Sequence, residues 1–199
     1  MSAIPASNKP IPLTVEEYFK LDEGSEIRYE FNEGFLKPID GTSARHNRIV
    51  RNSSNVVDSI FRPRGCSVFT ESVKLEVVKS KHYAFPDVML TCHGFDLHSD
   101  YLMYFPSLII EVLSPSTADY DRGMKFRRYQ NIPSLDYYLL IERKQCLVEL
   151  YCRTENPRKW TYQVYTEIED IVDFPKLNFS LALHQVYDGI TFDAPEDWD

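Results

Sequence analysis

Apolar residues recur at helical spacing in one long stretch of the chain, residues 43–64. Ile49 and Val57 belong to a single apolar stripe there, which is the pattern of a helix with one face packed on a core. Pro63 and Gly65 end the pattern, because both residues disfavour a helix interior. The sequence therefore predicts an amphipathic helix in this stretch.

Shorter stretches also predict helices. A Thr-x-x-Glu capping box begins a short helix over residues 14–21, since its two side chains can satisfy the first free backbone amides. Ser116 or Thr117 is expected to cap a helix that runs to about residue 130. Residues 181–187 have the pattern of a short last helix.

Most of the remaining apolar residues lie in runs of strand length. The runs are residues 27–31, 35–39, 67–71, 73–78, 85–91, 107–114, 135–141, 146–152 and 160–165. Asn32-Glu33-Gly34 separates the first two runs and predicts a hairpin. Leu108-Ile109-Ile110 is continuously apolar, as in a central strand covered on both faces, whereas the last two runs alternate like an antiparallel edge.

The order of these elements predicts an α/β (α+β) fold class, with a mixed β-sheet flanked by helices. Residues 1–13 hold three prolines and are expected to form an N-terminal arm. Residues 14–199 are expected to form one domain, since no linker or repeat interrupts them. Hydrophobic residues make up 43% of the chain, enough for a sizeable core.

Composition also predicts the compartment. No stretch approaches the roughly 20 apolar residues of a membrane span, and the N-terminus lacks the apolar centre of a signal peptide. We therefore expect a cytoplasmic protein that is not associated with a membrane. The cysteines show no zinc-site spacing, so we expect four reduced, mostly buried thiols: Cys66, Cys92, Cys146 and Cys152.

The net charge of −8 argues against a uniformly basic, nucleic-acid-binding surface. The basic residues are nevertheless concentrated in two predicted helices. Residues 43–64 and 121–130 together hold nine basic and two acidic residues, so the rest of the chain carries −15. These helices could present basic faces to a nucleic acid, or they could be ordinary solvated faces.

Two carboxylates occupy unusual settings. Asp87 follows Pro86 at the start of a strand, and Glu111 interrupts the apolar strand Ile109 to Leu113. A charged glutamate in a covered strand costs several kcal/mol unless it is paired or binds a cation. Mg²⁺ prefers such oxygen ligands and needs few of them. The alternatives are an arginine partner for Glu111 and a turn-capping role for Asp87.

These residues also carry a family resemblance. Pro86-Asp87 followed by Glu111 in an apolar strand resembles the PD-(D/E)XK nuclease superfamily, and residues 14–152 are more closely similar to the Uma-two family of restriction-endonuclease-like domains. The most specific matching piece is Glu111-Val112-Leu113-Ser114-Pro115-Ser116. The other matching segments are Arg28-Tyr29-Glu30, Glu33-Gly34, Ser43 to Ile49, Pro86-Asp87-Val88, Pro106 to Ile110, Thr117, Asp121 to Lys125, Tyr129, Ile132-Pro133 and Asp136 to Glu142.

The resemblance implies a restriction-endonuclease-like fold and metal-dependent hydrolysis of a phosphodiester. Asp87 and Glu111 would hold Mg²⁺ or Mn²⁺, which polarises the phosphate and activates water. The lysine that usually stands two residues after the glutamate is replaced by Leu113. Lys125, on the following helix, is the substitute that similar proteins suggest, although it could also be a plain surface lysine.

Further candidate residues lie on the N-terminal elements. The resemblance makes Glu30 a candidate third acid and His46 a candidate site residue. The alternatives are an exposed hairpin charge for Glu30 and a hydrogen-bonded core residue for His46. Three arginines of the helix over residues 43–64 are expected to contact a phosphate backbone: Arg45, Arg48 and Arg51.

The first functional hypothesis is thus a Mg²⁺-dependent endonuclease acting on a nucleic acid, with DNA as the first choice. The second is a non-catalytic binding or assembly module that keeps the fold, which Leu113 and the acidic balance favour. The third is a metal-dependent enzyme acting on a small phosphorylated molecule. A homodimer is expected by analogy, because exposed sheet edges and cleavage of both strands of DNA each suit two copies.

Overall fold

The computed structural model describes residues 12–39, 41–115 and 117–192. Most of the predicted arm, residues 1–13, lies outside the described residues, as does Ser116, one of the two predicted helix caps. Pro12 and Leu13 are described, and the Leu13 amide donates to the Gly34 carbonyl at 2.9 Å. None of the helices in the described ranges is long and apolar enough to cross a membrane.

The helices are α1 (Val15–Gly24), α2 (Ala44–Phe61), α3 (Ala118–Tyr120), α4 (Phe126–Tyr129) and α5 (Leu183–Val186). The strands are β1 (Tyr29–Asn32), β2 (Phe35–Pro38), β3 (Ser67–Thr70), β4 (Lys74–Val78), β5 (His82–Ala84), β6 (Val88–Thr91), β7 (Leu102–Met103), β8 (Leu108–Leu113), β9 (Tyr137–Glu142), β10 (Val148–Arg153), β11 (Trp160–Tyr165), β12 (Ile171–Phe174) and β13 (Phe179–Ala182). The predicted capping box of α1 is confirmed.

A mixed six-stranded sheet forms the centre of the described structure, with the order β11-β10-β9-β8-β6-β3. β8 and β9 are parallel, and the other neighbours in this sheet are antiparallel. All six residues of β8 are buried, which confirms the predicted central strand. β10 and β11 form the antiparallel edge that their alternating pattern predicted.

A second sheet has the order β2-β1-β5-β4-β7 and begins with the predicted hairpin of β1 and β2. Its inner strand β1 pairs with β5, which lies about fifty residues further along the chain. Hairpin sequence alone does not specify this long-range partner. The third sheet is the small antiparallel pair β12-β13, so the single mixed sheet of the prediction is in fact accompanied by two others.

Helices cover the two faces of the central sheet. α2 packs Ile49 and Val57 against one face, which includes Ile110 of β8. The opposite face of β8 contributes Ile109 and Leu113 to a separate cluster that includes Tyr129 of α4. Side chains alternate along β8, so Glu111 points to the same face as Ile109 and Leu113, towards α4.

The helix predicted from about residue 116 to residue 130 is interrupted. Between α3 and α4 the chain makes one π-helical turn, Asp121–Lys125. Such turns are rare and occur frequently at functional sites. The apolar pattern of this stretch predicts a continuous helix and gives no sign of the wider turn.

The expectation of four reduced thiols is wrong for two of them. Cys66 and Cys92 form a disulfide, whereas Cys146 and Cys152 are free. Cys66 precedes β3 and Cys92 follows β6, and the antiparallel register of these strands pairs Ser67 with Thr91. Strand pairing therefore brings the two cysteines together, although their separation of 26 residues matches no spacing rule.

Candidate active site

The two predicted metal carboxylates meet where β6 and β8 begin to separate. Val88 pairs with Ile110, so continuing the antiparallel register places Asp87 opposite Glu111. Both side chains line one cavity of about 480 Å³. Asp87 and Glu111, which are distant in sequence, therefore lie in the same cavity, as a shared metal ion would require.

Asp87 is held by contacts on both of its carboxylate oxygens. Oδ2 accepts a hydrogen bond from the Val112 amide at 2.7 Å, across the pair of strands. Oδ1 lies 3.3 Å from Nε2 of His46, which α2 brings in from the other layer. Asp87 keeps partial exposure to the cavity, so its carboxylate stays accessible to a further partner.

Glu111 is almost completely buried, with 3% of its surface exposed. Its Oε1 accepts a hydrogen bond from the Tyr129 hydroxyl at 2.9 Å and lies 2.7 Å from Nζ of Lys125. Burial, together with the nearby carboxylates of Asp87 and Asp121, raises the pKa of Glu111 to about 8. The ammonium of Lys125 lowers this pKa, but by less. The expected alternative, an arginine partner, is wrong because the partner is a lysine.

Lys125 is buried among three carboxylates. Its Nζ lies 2.7 Å from Glu111 and 3.6 Å from both Glu30 and Asp121. Burial opposes its charge, but Glu111, Glu30 and Asp121 raise the pKa of Lys125 well above its ordinary value. With 6% of its surface exposed, Lys125 is not the plain surface lysine of the alternative prediction.

The helical turn and the second sheet together place these groups. Asp121, Lys125 and Tyr129 follow one another at intervals of four residues, so all three face β8. Glu30 comes from β1 and is 7% exposed, which makes the alternative of an exposed hairpin charge wrong. Sequence analysis did not propose a role for Asp121 or Tyr129 in the site.

His46 is a buried residue of α2 that also reaches the cavity. Its Nδ1 is buried and has no hydrogen-bond partner among the described residues. The backbone amide of His46 donates to Oγ of Ser43, the N-cap of α2, at 3.2 Å. The capped first turn of α2 thus fixes the imidazole beside Asp87.

Glu71 is a site residue that sequence analysis missed. Ligand atoms of His46, Glu71 and Asp87 all lie within 4.8 Å of one another, close enough to share one metal ion. The Glu71 amide donates to the carbonyls of Pro86 and Asp87 at 3.1 and 3.2 Å. Glu71 lies in the turn after β3 and has a φ of +46°. Nothing in the sequence of that turn distinguishes it from a surface acid.

Basic residues surround the mouth of the cavity. Arg28 and Lys37 are exposed, and Arg143 is half-buried and donates to Ser43 Oγ at 2.8 Å. The arginines predicted to bind nucleic acid lie on α2 but do not line the cavity: Arg45, Arg48 and Arg51. Nη1 of Arg48 instead donates to the Gly189 carbonyl at 2.6 Å.

The inner cavity carries an excess of negative charge. Among the residues that the structure describes, Lys125 is the one buried ammonium that lines the cavity. Five described carboxylates line it: Glu30, Glu71, Asp87, Glu111 and Asp121. Buried carboxylates without enough positive partners favour either protonation or a bound cation. Exposed basic side chains at the mouth and carboxylates inside the cavity suit an anionic ligand that approaches a bound metal ion.

Comparison with solved structures identifies the fold. The crystal structure of "a putative nuclease belonging to DUF820" from Anabaena variabilis superposes with a TM-score of 0.74 at 19% sequence identity. The match covers 90% of this chain and 100% of that one. The predicted restriction-endonuclease-like fold class is thereby confirmed: the chain has a nuclease fold.

Sequence comparison identifies the family. The Uma2 (Uma-two) family, described as "Putative restriction endonuclease", matches residues 15–184, and the chain belongs to this family. Two relatives come from Synechocystis. The uncharacterized protein slr1290 is 31% identical over 92% of this chain and 96% of its own length. The uncharacterized protein sll1609 is 37% identical over 74% of this chain and 84% of its own length. The recognition made from Pro86-Asp87 and Glu111 is therefore confirmed, and the chain is nuclease-like.

Proposed function

We propose that this protein is a divalent-metal-dependent endonuclease that hydrolyses phosphodiester bonds in DNA. One observation carries the proposal: the Lys125 ammonium reaches Glu111 at 2.7 Å inside the cavity that Asp87 also lines. An acid pair and an adjacent ammonium are the groups expected of a nuclease of this fold. Leu113 is fully buried in the core, so the helix supplies the positive charge that β8 lacks.

The donor set fits a hard divalent cation, Mg²⁺ or Mn²⁺. Asp87 and Glu111 would hold it, as the sequence predicts. His46 and Glu71, whose ligand atoms cluster with that of Asp87, would be further ligands. The cluster of ligand atoms from His46, Glu71 and Asp87 and the excess of carboxylates support this assignment. When bound, the ion would polarise the phosphate and lower the pKa of the attacking water.

The protein's own side chains prepare the cavity for this chemistry. The Val112 amide and His46 fix the Asp87 carboxylate before any ligand arrives, which lowers the cost of reorganisation. Lys125 is held rigidly by three carboxylates and can stabilise negative charge that develops on a phosphate. Glu30 and Asp121 act through Lys125 as positioning residues.

A nucleic-acid substrate follows from the arrangement of charge. Arg28, Lys37 and Arg143 at the mouth would attract a phosphate backbone towards the cavity, despite the net charge of −8. Arg45, Arg48 and Arg51 would extend these contacts along α2. Such contacts position a nucleic acid without reading its sequence.

Cleavage assays test this proposal. The wild-type protein should nick supercoiled plasmid or cut single-stranded DNA in Mg²⁺ or Mn²⁺, and the activity should vanish with EDTA. Asp87→Asn and Glu111→Gln should each slow cleavage about a hundredfold or more, because the metal supplies several kcal/mol of transition-state stabilisation. The matched control is Asp100→Asn, which removes an exposed acid that does not line the cavity.

The outcomes separate the alternatives. Cleavage that survives Asp87→Asn comes from a contaminant and refutes the proposal. DNA binding without cleavage under any metal condition would instead favour a non-catalytic binding module. Metal binding with neither DNA binding nor cleavage would favour an enzyme that acts on a small phosphorylated molecule.

A further inference from the structure

We propose that β11, the edge strand of the central sheet, pairs antiparallel with β11 of a second copy of the chain and joins two central sheets into one. This inference is independent of the nuclease proposal. β11 pairs on one side with β10, and no other strand within residues 12–39, 41–115 and 117–192 pairs with its outer side. Every second residue of β11 therefore directs an amide and a carbonyl outward.

The sequence of β11 lacks the features that normally protect an edge. Its six residues, Trp160–Tyr165, include no charged residue and no proline. Exposed edges are usually blunted by charges, prolines or short length. The edges of the second sheet, β2 and β7, are protected in these ways, since β2 carries Lys37 and Pro38 and β7 has only two residues.

The side chains of β11 are also unusually apolar for their exposure. Tyr162 and Val164 are 53% and 46% exposed and, two residues apart, lie on the same face. The Tyr162 ring packs on Tyr151 of β10, with centroids 5.0 Å apart, so the stripe continues inward to the sheet. A neighbouring strand would remove part of this apolar surface from water.

Charges at the two ends of β11 select a second copy as the occupant. Exposed basic residues, Arg158 and Lys159, precede the strand, and exposed acidic residues, Glu167 and Glu169, follow it. In an antiparallel pair of identical strands, the start of one strand lies beside the end of the other. Each basic end then meets an acidic end, twice, as the symmetry of a homodimer requires.

The register can be stated more closely. Two identical antiparallel strands pair residues of the same orientation, so the sum of paired residue numbers is even. A pairing centred on Gln163 places Thr161 opposite Tyr165 of the partner subunit and Lys159 opposite Glu167 of the partner subunit. In this register, residues 161–165 of the two copies lie opposite one another, and the opposite charges at the strand ends are aligned.

The test is the mass of the full-length protein in solution, measured by sedimentation equilibrium over a range of concentrations. The wild-type protein should be a dimer at micromolar concentrations. Val164→Lys should give a monomer, because it places two like charges near the centre of the pairing. Phe35→Lys, a matched change at an exposed position of β2, should stay dimeric. Circular dichroism should show that both variants remain folded.

A charge exchange tests the orientation and does not depend on disrupting the strand. Lys159→Glu should raise the dimer dissociation constant several-fold, and the double change Lys159→Glu with Glu167→Lys should restore it. A wild-type protein that is monomeric at high concentration overturns the proposal. So does a dimer that neither Val164→Lys nor Lys159→Glu weakens, because its interface would then lie elsewhere.

Discussion

Lys125 connects the acids of the candidate site. Its ammonium contacts Glu111 directly and lies within 3.6 Å of Glu30 and Asp121. Without this charge, three nearly buried carboxylates would face one another without a positive partner between them. Lys125 is therefore a structural requirement of the metal-free protein as well as a proposed participant in catalysis.

This arrangement predicts a large effect of Lys125→Met on stability. Removing one partner of a buried charge cluster typically costs about 3–5 kcal/mol, because the opposite charge is left uncompensated. Urea unfolding at neutral pH should show this loss in the free energy of unfolding. Adding Glu111→Gln to Lys125→Met should recover part of it. A loss below about 1 kcal/mol, the range of an exposed ion pair, would contradict the described contacts.

His82 is a second residue whose surroundings predict a measurable effect. Both of its ring nitrogens are buried without a hydrogen-bond partner among the described residues. Burial lowers the pKa of His82 from 6.5 to about 3, with a smaller contribution from the positive charges of Arg128 and Lys125. The folded protein therefore keeps this imidazole neutral over a pH range in which the unfolded chain protonates it.

Acid should destabilise the protein through His82. Its stabilising contribution is fully present above about pH 6.5 and is lost as the pH falls towards 3, because protons then bind the unfolded chain. The slope of the unfolding free energy from this group is at most about 1.4 kcal/mol per pH unit. His82→Leu should flatten the curve measured by urea unfolding, whereas His184→Leu, at an exposed position, should leave it unchanged. Equal slopes for wild type and His82→Leu would refute this account.

Sequence reasoning recovered the residues whose settings are chemically unfavourable. Glu111 stands out because a charge interrupts an apolar strand, and Asp87 stands out through its position after Pro86. Glu71 could not be found in the same way, because it lies in an ordinary polar turn and reaches the site only through the pairing of β3 with β6. Asp121 was noted in a basic helix and in a segment that matches the family, but it was given no role in the site, although it faces Lys125.

At the scale of elements, apolar periodicity predicted most helices and strands but not their long-range partners. α2, β8 and the β10–β11 edge were expected because each has a regular local pattern. The π-helical turn at Asp121–Lys125 and the pairing of β1 with β5 were not expected. The pairing of β1 with β5 joins residues that are distant in sequence, which a local pattern does not record.

The pairing of β3 with β6 is another contact between segments that are separated in sequence. The Cys66–Cys92 disulfide closes one end of this pair, and Glu71 and Asp87 lie at the other end. A covalent link that closes a loop of 26 residues stabilises the folded state by about 3 kcal/mol, mainly by restricting the unfolded chain.

Cys66→Ser should therefore lower the free energy of unfolding by about 3 kcal/mol, and adding a reductant to the wild-type protein should have the same effect. Urea unfolding with and without reductant measures both. Cys146→Ser serves as the control, since Cys146 is a free thiol. If reductant leaves the wild-type curve unchanged, the two thiols contribute no such link to stability.

At the scale of the whole molecule, three separate parts of the chain converge on the candidate site. The central sheet supplies Asp87 and Glu111, the second sheet supplies Glu30, and helices bring His46 and Lys125. The family and its nuclease fold could be recognised from sequence, because the segment from Glu111 to Ser116 is specific. The distribution of charge, with acids inside the cavity and cations at its mouth, became visible only in three dimensions.

The central claim is that this convergence creates a site for a divalent cation. Titration calorimetry with Mn²⁺ and Mg²⁺ tests it most directly, because it requires neither a substrate nor turnover. We predict saturable binding of at least one ion per wild-type chain, lost in folded Asp87→Asn and retained in Asp100→Asn. The account would be contradicted by the absence of saturable binding in the wild-type protein, or by unchanged binding in Asp87→Asn.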